Sequence, residues 1–432
     1  MKIVEIQWIT YRLPLLNSFT TAHGVMTARE GIIVQVTTER GISGVGEIAP
    51  LPESGGGSLA DSAASSSLLP ALVARLHGRE LDEALDMVLA EGNDIRRGEG
   101  SGAARGGPLW SPGVLASAFS TSTFCGLEIA LLDALGKAEG CGVSTLLSQA
   151  GTMPRVTVPV NAMIGASTTE AAIAAAREAR RNGFHCVKLK VLQYPLSGSK
   201  RVAAYQPLHT SGVYTRKPKR SIDPAPGESI REEVERVAAV RDAIGPAMHL
   251  RLDANEAWNL EEAIAILSQC VPYNIQYVEQ PLKAHDLAGM RTLRRSVPIP
   301  IAVDEALHSL ESAQLVLDNE AADILVIKPQ LAGGLRVGQQ IIQAAAERGV
   351  RSVITSAIET GIGVVAALHL AAASPAVTLE CGLATLHLLV DDLVMNDLPV
   401  RDGFLAVPTG PGLGIALDEE ALHRYSSMLR SG

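Results

Sequence analysis

From Val156 onward the chain repeats one pattern: a short apolar run closed by a polar or charged residue, then an Ala-rich stretch with apolar positions at helical spacing. The runs VTVPVN, CVKLK, HLRLD, IQYVE, IPIAVD, DILVIK, SVITS and AVTLE end at Asn161, Lys190, Asp253, Glu279, Asp304, Lys328, Ser356 and Glu380. Most successive ends lie 24 to 29 positions apart, the length of one strand, one loop and one helix of about three turns. Helix ends are signposted as well: Ser167 with Glu170 three residues on has capping-box spacing, and Asn182-Gly183 marks the far end. Eight such units, with strands apolar almost throughout, predict a parallel (β/α)8 TIM-type barrel rather than an open doubly wound sheet.

Ahead of the barrel the pattern differs. Lys2–Leu13, Gly31–Thr38 and Ser43–Ile48 read as strands, and Ser58–Leu76, Leu81–Leu89 and Thr121–Lys137 as helices, which makes a small α+β unit. Gly92 to Gly113, rich in Gly, Ser, Ala and Arg, reads as a mobile insertion. A second interruption breaks the barrel rhythm between Lys190 and Asp253, 63 positions apart. Its source is Leu192 to Glu228, where six basic residues face two acidic ones. That segment reads as a solvated surface insertion, with a lid or a partner-contact loop as the functional alternative, because loops lengthen at small entropic cost.

Composition narrows the function. With 47% hydrophobic residues in 432, the bulk of the chain is folded, and with 3% aromatics it has little material for stacking bases. A net charge of -9 repels phosphate backbones, so no nucleic-acid partner is expected. The five cysteines have no paired spacing and form neither a disulfide framework nor a zinc array, which suits a reducing cytoplasm. The start, Met1-Lys2-Ile3-Val4-Glu5, has no signal-peptide core. Gly361 to Leu379 is uncharged but Ala-rich and holds His369, Ser374 and Pro375, so it reads as a buried helix followed by a strand, not a membrane span. Gly41, Gly44 and Gly46, like Gly410, Gly412 and Gly414, do not join a strand to a helix and read as turns.

The chemistry gathers at the strand ends, which in a parallel barrel share one face. Three successive ends carry Asp253, Glu279 and Asp304, on strands only about 4.8 Å apart. Carboxylates so close raise one another's pKa unless a cation keeps them ionised. Oxygen-only ligation selects a hard divalent ion, Mg2+ first and Mn2+ as a substitute. On one flank, Lys188 and Lys190 alternate onto the same side of their strand, and mutual repulsion is expected to free a neutral amine. On the other flank, Lys328 closes the apolar run Ile324–Ile327 and is followed by Pro329. A cation between two opposed lysines suits removal of a proton next to a carboxylate. Arg251, two residues before Asp253, should also face inward, to meet a carboxylate or to balance the acids. Thr355, Ser356 and the backbone of Gly361 and Gly363, opening a helix, are candidates to hold a second substrate carboxylate.

These motifs, K-x-K at Lys188–Lys190, D-A-N at Asp253–Asn255, V-E-Q-P at Val278–Pro281, V-D-E at Val303–Glu305 and I-K-P at Ile327–Pro329, resemble the lysine-pair, muconate-lactonizing-like branch of the enolase superfamily. The likeness covers about Met1 to Asp402 and is strongest to o-succinylbenzoate synthases of menaquinone biosynthesis, through Leu250–Trp258, Glu359–Gly363 and Cys381–Leu393. It implies a capping domain over 1–155, a barrel over 156–390 and a segment 391–432 returning to the capping domain. It also implies Asp253, Glu279 and Asp304 as metal ligands, Lys190 as base and acid, and Lys328 across the ring. Loops Asn17–Gly24 and Pro50–Gly57 would fold over the mouth, with His23 and Asn255 among the substrate contacts. The implied substrate is a small dicarboxylate, in a cytoplasmic enzyme free to form a homo-oligomer. An N-succinylamino-acid racemase or dipeptide epimerase would use the same ligands; a non-catalytic barrel binding a partner is the alternative of another class.

Overall fold

The computed structural model describes residues 1–21, 24–51, 65–96, 112–166, 168–191 and 226–427. Strands β1 (Ile3–Thr21), β2 (Gly24–Thr38) and β3 (Ser43–Ile48) form an antiparallel sheet in that order. Helices α1 (Ser65–Leu76), α2 (Leu81–Arg96), α3 (Pro112–Glu139) and α4 (Val143–Leu147) follow. Asn17 to Gly24 is not the expected loop: Phe19–Thr21 pair with Gly24–Met26, and Ala22 and His23 lie outside the described residues. The register breaks between Pro14 and Phe19, where Leu15 instead bridges Leu389. Pro14 has no N–H for a ladder, and a bulge is where a strand accommodates one.

Two of the glycines read as turns have another cause. Gly41 does sit in the β2–β3 turn, at φ +75°. Gly44 and Gly46 instead lie within β3, where a Cβ would come 2.2 Å from the Ala130 carbonyl and 2.0 Å from that of Gly126. Only bare backbone lets α3 approach the sheet this closely.

β4 (Thr157–Pro159) stands outside the barrel, whose strands are β5 (Ala162–Ile164), β6 (Cys186–Lys190), β7 (His249–Asp253), β8 (Ile275–Glu279), β9 (Ile301–Val303), β10 (Ile324–Ile327) and β11 (Arg351–Ile354). These seven form one parallel sheet in chain order. Two expected strands are corrected. VTVPVN divides, because β4 pairs antiparallel with β12 (Phe404–Ala406) and the barrel strand starts only at Ala162. AVTLE forms no strand; single parallel bridges, Val160 to Cys381 and Thr355 to Gly382, join the two edges and close the ring.

Helices α5 (Thr169–Arg181), α6 (Pro226–Ile244), α7 (Leu260–Cys270), α8 (Leu287–Ser296), α9 (Leu310–Asp318), α10 (Pro329–Ala332), α11 (Leu335–Glu347) and α12 (Gly361–Ala373) connect the strands, and α13 (Glu419–Ser427) packs on β1. Thr168, not Ser167, caps α5, its side chain accepting from the Ala171 N–H; Ser167 lies outside the described residues. The insertions are shorter at their edges than expected. α2 continues through Gly92 to Arg96, and Pro226 opens α6 at the first helical position, which suits proline's fixed φ; the stretches 97–111 and 192–225 lie outside the described residues. All thirteen residues of α12 are buried, as an all-round apolar helix requires, and among the described residues no helix is long and apolar enough to cross a membrane.

Strand alternation sorts the core. Leu325, Ile327, Val278 and Val303 join the large cluster under the helices, while Tyr277, Ala302, Ile324, Val326 and Val353 form a separate cluster inside the ring. One step further along the inward-facing positions come Glu279, Asp304, Lys328 and Thr355, so the strand period carries each to the end of the barrel interior.

Buried acids fasten the N-terminal layer to the barrel. Glu47 of β3 is fully buried and accepts from the Tyr11 hydroxyl, the Thr360 N–H (3.1 Å) and hydroxyl (2.7 Å) and the Gly363 N–H (2.9 Å), at the start of α12. Glu128 of α3 accepts from Leu335 N (2.5 Å) and Arg336 N (3.1 Å), opening α11. Asp133, within the layer, joins α3 to Val45 N of β3 (2.8 Å) and to Leu413 N of the C-terminal segment (2.7 Å). A helix start presents free N–H donors and partial positive charge, so a carboxylate is a favourable buried partner there.

Glu47→Ala leaves these donors unpaired in the interior. It should lower stability by about 3 kcal/mol or more, and Glu47→Gln by about 1 to 3 kcal/mol. Urea denaturation followed by circular dichroism reads both; an unchanged midpoint in Glu47→Ala means that the acid does not hold the layers together.

Candidate active site

The strand ends assemble an ionic row. β6, β7 and β8 are in parallel register with Lys190 opposite Asp253 and Asp253 opposite Glu279. Asp304 follows β9 and Lys328 follows β10, so three carboxylates stand between a lysine pair on one side and a single lysine on the other. Each of the three acids is at most 5% exposed.

Lys188 Nζ lies 2.6 Å from Glu279 Oε1 and 3.3 Å from Asp253 Oδ2. Lys190 Nζ lies 3.8 Å from Asp253 Oδ2 and donates to Asn255 Oδ1 at 2.7 Å. Across the row, Lys328 Nζ meets Asp304 Oδ2 at 2.6 Å.

These contacts correct one expectation. Burial alone would push the Lys188 ammonium toward neutrality, but Asp253 and Glu279 beside it prevail and its pKa is raised, so repulsion from Lys190 does not free its amine. Lys328 is likewise raised: burial opposes its charge, and Asp304 and Glu305 outweigh that. Among the acids, burial pushes Glu279 up to about 7 despite Lys188, while Asp253, equally buried, is held below its usual value by Lys188 and Lys190.

Among the described residues, no three His, Cys, Asp or Glu side chains converge as they stand on a point that could hold a metal, since lysines draw Glu279 and Asp304 aside. The donor chemistry nevertheless fits a hard cation. Asp253 Oδ1 and Glu279 Oε2 are buried with no hydrogen-bond partner, and neighbouring carboxylates with spare oxygens are what such an ion takes up.

The remaining candidates fall elsewhere. Arg251 is one layer deeper, with Nε on Gln276 (2.5 Å), Nη1 on Asn161 (3.2 Å) and the Glu380 carbonyl (2.7 Å), and Nη2 on the Glu380 carboxylate (2.6 Å). Its guanidinium also stacks 4.7 Å from the Tyr277 ring, so it serves the barrel interior and not a substrate. Thr355 donates to the Gly382 carbonyl, and Ser356 Oγ accepts from Ile358 N and the Thr385 hydroxyl. The start of α12 does bind carboxylates, but they are the protein's own: Gly361 N donates to Asp392 (2.8 Å) and Gly363 N to Glu47, which corrects the expected anchor for a substrate carboxylate. His23 lies outside the described residues.

Three residues were passed over in the sequence. Gln280, next to Glu279, accepts through Oε1 from Asp304 N (3.0 Å) and Ala306 N (3.3 Å), tying β8 to the loop that carries Asp304. Glu305 is raised to about 8, by burial first and Asp304 second. Both stand inside recognised motifs, which was the available signal. Arg236, which supports Lys190 by donating to its carbonyl at 2.9 Å, stands in α6 with no local mark.

Comparison with known proteins finds relatives for both parts of the chain. The family described as "Enolase C-terminal domain-like" matches residues 171–421, and "Mandelate racemase / muconate lactonizing enzyme, N-terminal domain" matches 3–148. An o-succinylbenzoate synthase of Thermobifida fusca (strain YX) is 40% identical over 181 residues, 42% of this chain and 56% of that protein, so the match spans little more than half of the relative. The L-Ala-D/L-Glu epimerase of Bacillus subtilis (strain 168) is 27% identical over 96% of this chain and 97% of its own. The muconate lactonizing enzyme of Pseudomonas fluorescens, solved with muconolactone, superposes with a TM-score of 0.76 at 24% identity, covering 98% of this chain and 99% of that one.

If the acid row holds a divalent ion, Mg2+ should raise the thermal unfolding temperature of metal-stripped protein. The gain is about 2.7 kcal/mol when free Mg2+ is one hundred times its dissociation constant. Asp304→Asn, which keeps the shape and loses the charge, should shift far less at equal Mg2+. Equal shifts in both proteins would remove Asp304 from the site.

Proposed function

The chain belongs to the enolase superfamily, and on that premise we propose that it is a Mg2+-dependent o-succinylbenzoate synthase. It would dehydrate 2-succinyl-6-hydroxy-2,4-cyclohexadiene-1-carboxylate to o-succinylbenzoate, in menaquinone biosynthesis. The observation that carries this reading is the row of buried carboxylates with lysines on both flanks; the 40% identity to the Thermobifida fusca synthase supports the choice of reaction.

Asp253, Glu279 and Asp304 would hold the ion. When bound, Mg2+ supplies fixed positive charge toward which a substrate carboxylate can lean as electron density grows on it. Lys190, as a neutral amine, takes the proton next to that carboxylate and hands it to the ring hydroxyl, which leaves as water. Both transfers occur on one face, so a single acid-base group suffices. Lys328, kept charged by Asp304 and Glu305, stabilises the negative intermediate from the far side. Lys188 favours the ionised forms of Asp253 and Glu279 and holds both in place.

One observation favours a second reading. The epimerase relative matches nearly the whole chain, and lysines on opposite flanks are what a racemase or epimerase needs to move a proton between faces. The two readings part on Lys328, whose charge serves the synthase and whose proton serves the racemase.

Dehydration assayed with and without Mg2+, together with α-proton exchange of N-succinylamino acids in deuterium oxide, separates them. Lys190→Arg should lose nearly all dehydratase activity, because a guanidinium is no base near neutral pH, whereas Lys328→Arg should keep more. In the wild type, exchange should be slow beside dehydration. A kcat/KM for racemisation equal to or above that for dehydration would give the protein to the second reading.

A further inference from the structure

Asn255, expected to touch substrate, is instead the middle of a hydrogen-bonded chain. Lys190 Nζ donates to its Oδ1 at 2.7 Å, and its Nδ2 donates to Glu305 Oε1 at 3.0 Å. A lysine N–H faces the amide oxygen and a carboxyl oxygen faces the amide N–H, so the amide as it stands satisfies both neighbours. Flipped, it would set N–H against N–H and oxygen against oxygen.

The backbone around Asn255 is held from both sides. Ala254 N donates to the Glu279 carbonyl (2.9 Å) and Glu256 N to that of Gln280 (2.8 Å), while Asn255 and Glu256 take the left-handed φ values +41° and +62°. A left-handed turn of two non-glycine residues is costly and marks a locally over-determined segment. With that backbone fixed, the neighbours of the Asn255 side chain decide which of its ends faces Lys190.

We propose that Glu305 is a positioning residue for Lys190, acting through Asn255: it fixes the amide so that the carbonyl oxygen faces the amine. A neutral lysine has two N–H bonds and one lone pair. An N–H held on Asn255 turns the lone pair away from that contact and toward the proton to be removed. The inference rests on the reading of Lys190 as the base.

Glu305→Gln replaces the carboxyl oxygen that accepts from Asn255 with an amide that can turn either end to it, and an amide then faces an amide in either sense. The joint change Asn255→Asp with Glu305→Gln restores one sense, with an acceptor toward Lys190 and a donor behind it. Exchange of the α-proton in deuterium oxide is followed for each enantiomer of an N-succinylamino acid, the faces being assigned with Lys190→Ala and Lys328→Ala, and folding checked by circular dichroism. Glu305→Gln, and Asn255→Ala as a second variant, should slow exchange on the Lys190 face by about tenfold or more, with KM little changed and the Lys328 face within about threefold. The joint change should recover most of the loss, a non-additive outcome expected only of a coupled pair.

Equal losses on both faces, or no loss on either, overturn the proposal. Neutron crystal structures of the wild type and Glu305→Gln, which tell amide nitrogen from oxygen, decide it without any substrate. Loss of the Lys190–Asn255 oxygen contact in the variant supports the proposal even if the wild type neither dehydrates the cyclohexadiene substrate nor exchanges N-succinylamino acids, which would sink the functional reading alone. The contact retained at hydrogen-bond distance overturns it.

Discussion

Charge placed inside an apolar ring has to be matched by charge. The lysines Lys188, Lys190 and Lys328 share the barrel end with four carboxyls, at Asp253, Glu279, Asp304 and Glu305, and none has bulk water to lean on in full. The sum is one negative charge too many with every group ionised, and the strain shows in Glu279 and Glu305, whose carboxyls are pushed up to about 7 and about 8. A dication would reverse that sign. The geometry of the strands, the supporting contacts of Gln280 and Arg236 and the orphaned oxygens of Asp253 and Glu279 are all arranged around this balance.

How much of this could be read beforehand follows from where the information lies. Fully buried parallel strands must be apolar throughout, so Ile324–Ile327 or Ile275–Glu279 announce themselves and their terminal charges stand out. The first and last strands were misread because their runs are apolar for other reasons. Thr157–Pro159 is covered by a strand far along the chain, and the closing segment near Cys381 contributes only single bridges. The site was legible as a set of types and positions, not as a set of contacts. Nothing local to Glu47 tells that its partners lie 313 and 316 positions away, or that its carboxylate fills the helix start that looked ready for a substrate. The pairing of Lys188 with two acids likewise appears only when three strands are side by side.

The two enzymatic readings use the same acid row, and their difference is not written in it. A synthase and an epimerase both need a proton lifted beside a carboxylate and a negative intermediate kept from escaping. What distinguishes them is whether the far lysine is asked for its charge or for its proton. A site built to offer both is one physical reason why neighbours of such different reactions share this fold.

The glycines of β3 and the acids Glu47, Glu128 and Asp133 bear on how this architecture can be recombined. The N-terminal layer is itself a fitted set, with bare backbone where α3 presses on β3 and Asp133 on Val45, and its seam with the barrel is Glu47 and Glu128, aimed at the amide groups that open α12 and α11. A chimera that took its sheet from one relative and its barrel from another would inherit half of each pairing. To work, the exchange would have to take β3 and α3 from one parent, and bring along the start of α12 with its threonine for Glu47 and the start of α11 for Glu128. The sheet layer therefore behaves as a part fitted to its own barrel, not as an interchangeable module.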